Sequence, residues 1–170
     1  MPLVPGTIDS LARTPAVLHA LLDGIPAATA TAPDSEGWSA RDVVAHLLII
    51  NELGLHRRLH QIVEEDEPLV PDVNEHDSLA ASGYRDRPLS DLLADFTAQR
   101  ARTVQWMRGL TPQQLERRGN HEFAGPVSAC DVSHHLAMHD LAHTAQIANL
   151  IAVPFNAARG PMGSVGSAEG

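Results

Sequence analysis

Cysteine is almost absent. Cys130 stands alone in 170 residues, which excludes an internal disulfide and fits a reducing compartment. Positive charge is scarce too. Twelve Lys and Arg face 21 Asp and Glu, a formal net charge of -9 at pH 7, so the chain lacks the basic balance of nucleic-acid binders and of proteins that sit on anionic membranes. Long apolar runs are missing. The longest candidate, Val43 to Ile50, is interrupted by His46 and falls far short of the ~20 residues of a membrane span. Met1 to Ser10 shows no basic-then-apolar leader. These absences lead to the expectation of a cytoplasmic protein with neither nucleic acid nor membrane as partner. Alternating strands, hairpin turn signals and internal repeats are also missing, which leaves helices to build the fold.

Four substantial helices are expected, near residues 8–23, 40–65, 89–110 and 128–152. Thr14-Pro15 reads as an N-cap and first helical position, followed by the stripe Val17, Leu18, Leu21, Leu22. Ser39 with Asp42 forms a capping box, and the following span has the inner face Val43, His46, Leu47, Ile50, Leu53. A loop is expected from Pro68 to Pro88. Leu92, Leu93, Phe96, Val104 and Met107 mark the third helix. Thr111 with Gln114 opens one short turn, and Ser128 with Asp131 caps the last helix. The simplest burial of four apolar stripes is an all-α four-helix bundle over 1–155, followed by a mobile tail over 156–170 that is poor in apolar residues.

Four of the ten histidines fall between His134 and His143. On a helix His135, His139 and His143 lie at i, i+4 and i+8, on the face that also carries Val132, Leu136, Ile147 and Leu150. Imidazoles placed where periodicity expects core need partners, and a metal ion is one. Rings at i and i+4 can converge on one ion at roughly 2.1 Å from each nitrogen. His46, mid-stripe on another long helix, is the candidate third ligand. His135 is rotated from His143 by about 80°, and stays open as a fourth ligand, a proton shuttle or a buried neighbour. His121 precedes the last helix and is placed to rim a pocket. His19, His56, His60 and His76 read as surface residues, and His134 points away from the stripe.

Three neutral imidazoles leave the charge of a divalent ion uncompensated and one coordination position open, the catalytic rather than the structural type of site. Such an ion lowers the pKa of bound water and stabilises a bound thiolate. Zinc, nickel and iron all accept these ligands. The glutamate of HExxH is missing, which excludes a zincin by motif. Ser128 and Ser133 lack a GxSxG setting. Cys130 lies in the first turn of the last helix, where the dipole lowers a thiol pKa, or it serves as a small core residue. Arg100 is placed either to anchor an anionic substrate or to end in a surface ion pair.

Trp38-Ser39-Ala40-Arg41-Asp42-Val43-Val44-Ala45-His46-Leu47 resembles the W-S-x-R-x-V-x-x-H-L opening of DinB-like domains, the DinB/YfiT metal-dependent hydrolase superfamily. His139 to Ile147 resembles its H-x-x-x-H-x-x-Q-I ending, and His121 to Val127 the loop before its last helix. The similarity spans Trp38 to Leu150. The resemblance implies an up-down-down-up four-helix bundle and a divalent ion, zinc or nickel, held by three histidines, which carry over to His46, His139 and His143. It further implies a small-molecule substrate, a hydrolase or a thiol S-transferase using bacillithiol, mycothiol or glutathione, or an activity like that of maleylpyruvate isomerase, and a homodimer. Metal-bound water or thiolate is then the expected nucleophile, with His135 or His121 moving protons. The alternative is a non-enzymatic metal- or ligand-binding stress-response bundle.

Overall fold

The computed structural model describes residues 2–165. Its first helix, α1 (Thr7–Leu22), starts two turns before Thr14, so the N-cap expected at Thr14-Pro15 is corrected: Pro15 is buried inside the helix. Thr7 starts it by donating its hydroxyl to the Val4 carbonyl at 2.7 Å. A short α2 (Ala27–Thr31) follows. Ser39 and Asp42 then form the expected capping box of α3 (Ala40–Ile49), each side chain accepting the other's backbone N–H.

The single helix expected over 40–65 is interrupted. A π-turn spans Ile50–Leu55, with Gly54 off helical geometry, before α4 (His56–Glu64). Leu53 is consequently 45% exposed instead of inner, while Leu55, Leu59 and Ile62 are buried. The expected loop to Pro88 also contains structure: strand β1 (Leu69–Val70), helix α5 (Glu75–Ser82) capped by Asn74, and a single 3-10 turn. Long helix α6 (Leu89–Arg108) and short α7 (Pro112–Glu116) lie where the period and the Thr111 capping box put them.

Strands are present, contrary to expectation. β2 (Arg118–His121) and β3 (Gly125–Ser128) pair antiparallel, and β1 joins β2 in parallel, Leu69 beside Asn120. Each is too short to show alternation, and the hairpin turns at Gly125 with φ +70°. Gly119 lets this hairpin lie against α4. A Cβ there would stand 2.9 Å from Ile62 and 3.0 Å from the Pro68 carbonyl, so only glycine allows the approach. Arg117 fastens the same edge, donating to the carbonyls of Ile62 and Glu65.

The final helix, α8 (Ala129–Ala157), is capped by Ser128 and Asp131 and continues through Pro154. The expected tail boundary at 156 therefore falls within it. A 3-10 turn follows at Gly160–Ser164, and the last part of that expected tail, 166–170, lies outside the described residues.

Two apolar clusters divide the bundle lengthwise. One joins Leu18 and Leu22 late in α1, Val43 to Ile49 of α3, Leu92 to Phe96 early in α6, and Ile147 and Leu150 late in α8. The other joins Leu11 early in α1, Leu55 to Val63, Val104 and Met107 late in α6, and Ala129 to Ala137 early in α8. Hence α1 and α8 run one way, and α3–α4 and α6 the other. This is the up-down-down-up order. α1 and α3 each pack against both α6 and α8, so α3 faces α8 antiparallel. No helix among the described residues is long and apolar enough to cross a membrane.

Candidate metal centre

The antiparallel pairing of α3 with α8 brings His46 opposite His139 and His143. His46 is fully buried, with the edge of Trp38 against its ring at 5.5 Å. Its Nε2 lies 3.1 Å from Nε2 of His139. The His143 ring centres 4.5 Å from that of His46 and 4.4 Å from that of His139. One nitrogen from each ring falls within 4.8 Å of the others, the only such group of three metal-ligating side chains among the described residues. Ligands at ~2.1 Å in tetrahedral arrangement stand about 3.4 Å apart, close to the 3.1 Å seen here.

Burial determines the charge of these rings. It pushes His46 down to about 3, with His143 and His76 adding to the effect. It pushes His139 down to about 2, reinforced by His143, His46, His135 and Arg100. Both are therefore neutral at pH 7, the form with a lone pair to give. Without an ion, two neutral Nε2 atoms in contact can satisfy only one donor and one acceptor. Nδ1 of His46 and of His139 are buried with no hydrogen-bond partner. The Nε2-to-Nε2 meeting of His46 and His139 is a poorly satisfied contact between polar rings, and a cation drawing on both lone pairs relieves it.

His143 alone has a partner behind it. Its Nδ1 lies 2.7 Å from Oε1 of Gln146. That carbonyl accepts the Nδ1 proton and so holds the Nε2 lone pair on the cluster. Gln146 was not singled out from sequence as a site residue, although a Gln one turn beyond a ligand-spaced His was the available signal. Gln146→Ala is expected to weaken metal binding ~10–100-fold with little change in folding, because the side chain is half-buried at the surface. Competition against a chromophoric chelator measures it, and Gln146→Glu should restore binding.

The other candidates lie apart from the trio. The His135 ring is 6.3 Å from that of His139 and faces a cleft it shares with His121 and Arg58. Burial, then Arg58 and His121, lowers its pKa. His134 accepts the Val4 N–H at 2.9 Å and ties down the N-terminal segment. His56 and His60, expected at the surface, are half-buried: they pack on each other and on Trp106, His60 stacking at 3.8 Å. Burial lowers His56 to about 4. Cys130 is buried, and that burial raises its thiol pKa, as expected of a small core residue. Arg100, expected near the surface, is 1% exposed. Its Nη2 donates to Asp140 at 2.7 Å and its Nη1 to Asn51 at 2.9 Å.

A family model described as the DinB superfamily matches residues 10–147. No curated protein sequence matches the chain. Among solved structures, YfiT from Bacillus subtilis, described as a probable metal-dependent hydrolase with an unusual four-helix bundle topology, superposes with a TM-score of 0.79 at 22% identity, covering 88% of this chain and 85% of that one.

Proposed function

The chain belongs to the DinB superfamily, and we propose on that footing that it is a metal-dependent enzyme, a hydrolase or a thiol S-transferase, whose divalent ion is held by His46, His139 and His143. The observation that carries this reading is the convergence of three imidazole nitrogens within 4.8 Å, two of them meeting Nε2 to Nε2 at 3.1 Å. The description of YfiT as a probable metal-dependent hydrolase supports the hydrolytic branch.

When bound, zinc or nickel at three neutral imidazoles supplies Lewis acidity and brings a water or thiol at its open position towards ionisation near pH 7. The protein residues supply the rest. Trp38 covers the His46 side of the cluster and keeps water from it. Gln146 fixes the tautomer of His143. His135, one turn along α8 from His139 and exposed, is placed to take a proton from the reacting group and pass it to solvent. His121 is placed to donate. Its Nδ1 accepts the backbone N–H of Phe123 and Ala124 at 3.3 and 3.4 Å, so the neutral ring carries its proton on Nε2.

Tag-free protein reconstituted with zinc or nickel tests the reading. Transfer of bacillithiol, mycothiol or glutathione to monochlorobimane, and hydrolysis of small esters and amides, are the activities to measure. At least one is expected to appear with metal and to vanish with chelator and in His143→Ala. A rate indifferent to both treatments sinks the proposal.

A further inference from the structure

The cleft beside the metal cluster has a composition of its own. It encloses about 360 Å³ between the π-turn and α4 on one side, α8 on another, and the β2–β3 hairpin above. Leu55, Val127 and Val132 give it apolar walls, and Arg58, His121 and His135 give it polar ends. The metal ligands are not part of it, but His135 lines it and stands next to His139.

Arg58 is the unusual member. It is 8% exposed, yet its hydrogen bonding is incomplete. Nε donates to the Pro71 carbonyl at 3.0 Å and Nη2 to Asp72 at 2.9 Å. Nη1 has no hydrogen-bond partner among the described residues, and it is not among the fully inaccessible atoms. A guanidinium nine-tenths buried, fixed by two partners and left with an open Nη1, is a pre-oriented donor. His121 adds a second donor from the hairpin, since its Nδ1 is occupied as acceptor and its Nε2 proton faces the cleft 3.8 Å from Asp72.

Each of the two carboxylates at this cleft engages a neighbour through one oxygen. Asp72 is on Arg58. Asp131 accepts from the Ser128 N–H and hydroxyl at 2.9 and 2.7 Å in the helix cap. Two donors of the cleft, Arg58 Nη1 and His121 Nε2, make no hydrogen bond among the described residues, and beside them lies an apolar space to hold the rest of a molecule. An anionic acceptor satisfies two N–H donors at once and gains from the charge of one of them.

We propose that this cleft seats a carboxylate of the substrate on Arg58 Nη1 and His121 Nε2, with the apolar body along Leu55 and Val132 and the reacting end passing His135 to the three-histidine cluster. The substrate class is then a small carboxylic acid or carboxylated thiol adduct with an apolar spacer. This rests on the metal reading above for the reacting end but not for the carboxylate, which the cleft binds with or without an ion.

Two binding measurements test it. On metal-free protein, hexanoate should shift the ¹H–¹⁵N resonances of Val127, Val132 and the Arg58 side chain, and Ala124→Trp, which fills the cleft without touching the ion pair, should abolish the shifts. On zinc-loaded protein, calorimetry compares monohydroxamates of the diacids from succinic to suberic with alkyl hydroxamates of equal length. At least one carboxylated member should bind about tenfold more tightly, and Arg58→Gln should remove that advantage while leaving the alkyl hydroxamates unchanged. Should Arg58→Gln fail to fold, Ala124→Trp gives the same comparison. Hexanoate shifts with no hydroxamate binding at all would refute the metal reading and keep the carboxylate site. Equal binding of both hydroxamate series, or no hexanoate shifts in the cleft, overturns the carboxylate site.

Discussion

Alanine at His46 is expected to leave the purified, tag-free protein without stoichiometric metal, whereas the wild-type chain takes up one ion. His139 and His143 come from one helix and provide two ligands. His46 is the ligand that crosses from α3, and it is the fully buried one. Its loss removes a direct bond, so the affinity should fall well beyond the ~10–100-fold that loss of a supporting hydrogen bond costs. Elemental analysis after dialysis reads the stoichiometry directly. Thermal unfolding reads the same quantity independently. An ion that binds only the folded state at 100 times its dissociation constant adds about 2.7 kcal/mol, so added zinc should raise the wild-type midpoint and leave that of His46→Ala where it was. Equal zinc-induced shifts in the two proteins refute the ligand assignment.

The second large effect concerns Arg100. Its guanidinium and the Asp140 carboxylate are each 1% exposed, and the pair ties α6 to the residue following His139. Asn51 accepts from Arg100, and its amide donates to Thr103 at 3.2 Å, drawing the π-turn into the same network. The Arg100 ring contact with Phe96, 5.1 Å, closes it on the apolar side. Burial raises the Asp140 pKa against the pull of Arg100. The carboxylate is thus held in the core chiefly by its partner. Arg100→Met strands it and should cost about 3–5 kcal/mol, a fall in melting temperature of roughly 6–20 °C for a chain of this size. Arg100→Met with Asp140→Leu removes both charges and should recover most of the loss, as buried pairs replaced by apolar residues usually do. If the single variant melts within a degree or two of wild type, the pair contributes nothing to holding α8 in place.

The bundle and the histidine trio were legible because both rest on helical period. Capping boxes at Ser39 and Ser128 mark where the two ligand-bearing helices begin, and from those starts the spacing of Val43, His46 and Leu47, and of Leu136, His139 and His143, puts imidazoles on buried stripes. The rest depended on interactions that period does not carry. The hairpin is held by Gly119 lying close to Ile62, a contact between residues far apart in the chain. Arg100 looks like any arginine on an amphipathic helix until Asp140 and Asn51 are known to meet it. His56 and His60 are drawn inward by Trp106, on a different helix. Gln146 lay inside a recognised motif, but its role appears only when the His143 ring is seen to need a hydrogen-bond partner.

The π-turn at Ile50–Leu55 also sets an angular phase. Residues 46 and 58 are far enough apart that a continuous α-helix, at ~100° per residue, would aim Arg58 about 120° away from His46. A π-turn takes up one extra residue, about 100° of rotation, and brings the two side chains back to nearly the same bearing. One strand of chain thereby points an imidazole at the metal cluster and a guanidinium at the neighbouring cleft, both towards α8. Deleting one residue within the turn would restore a regular helix and leave both side chains on their bearings, since eleven residues at ~100° each bring Arg58 to within about 20° of His46.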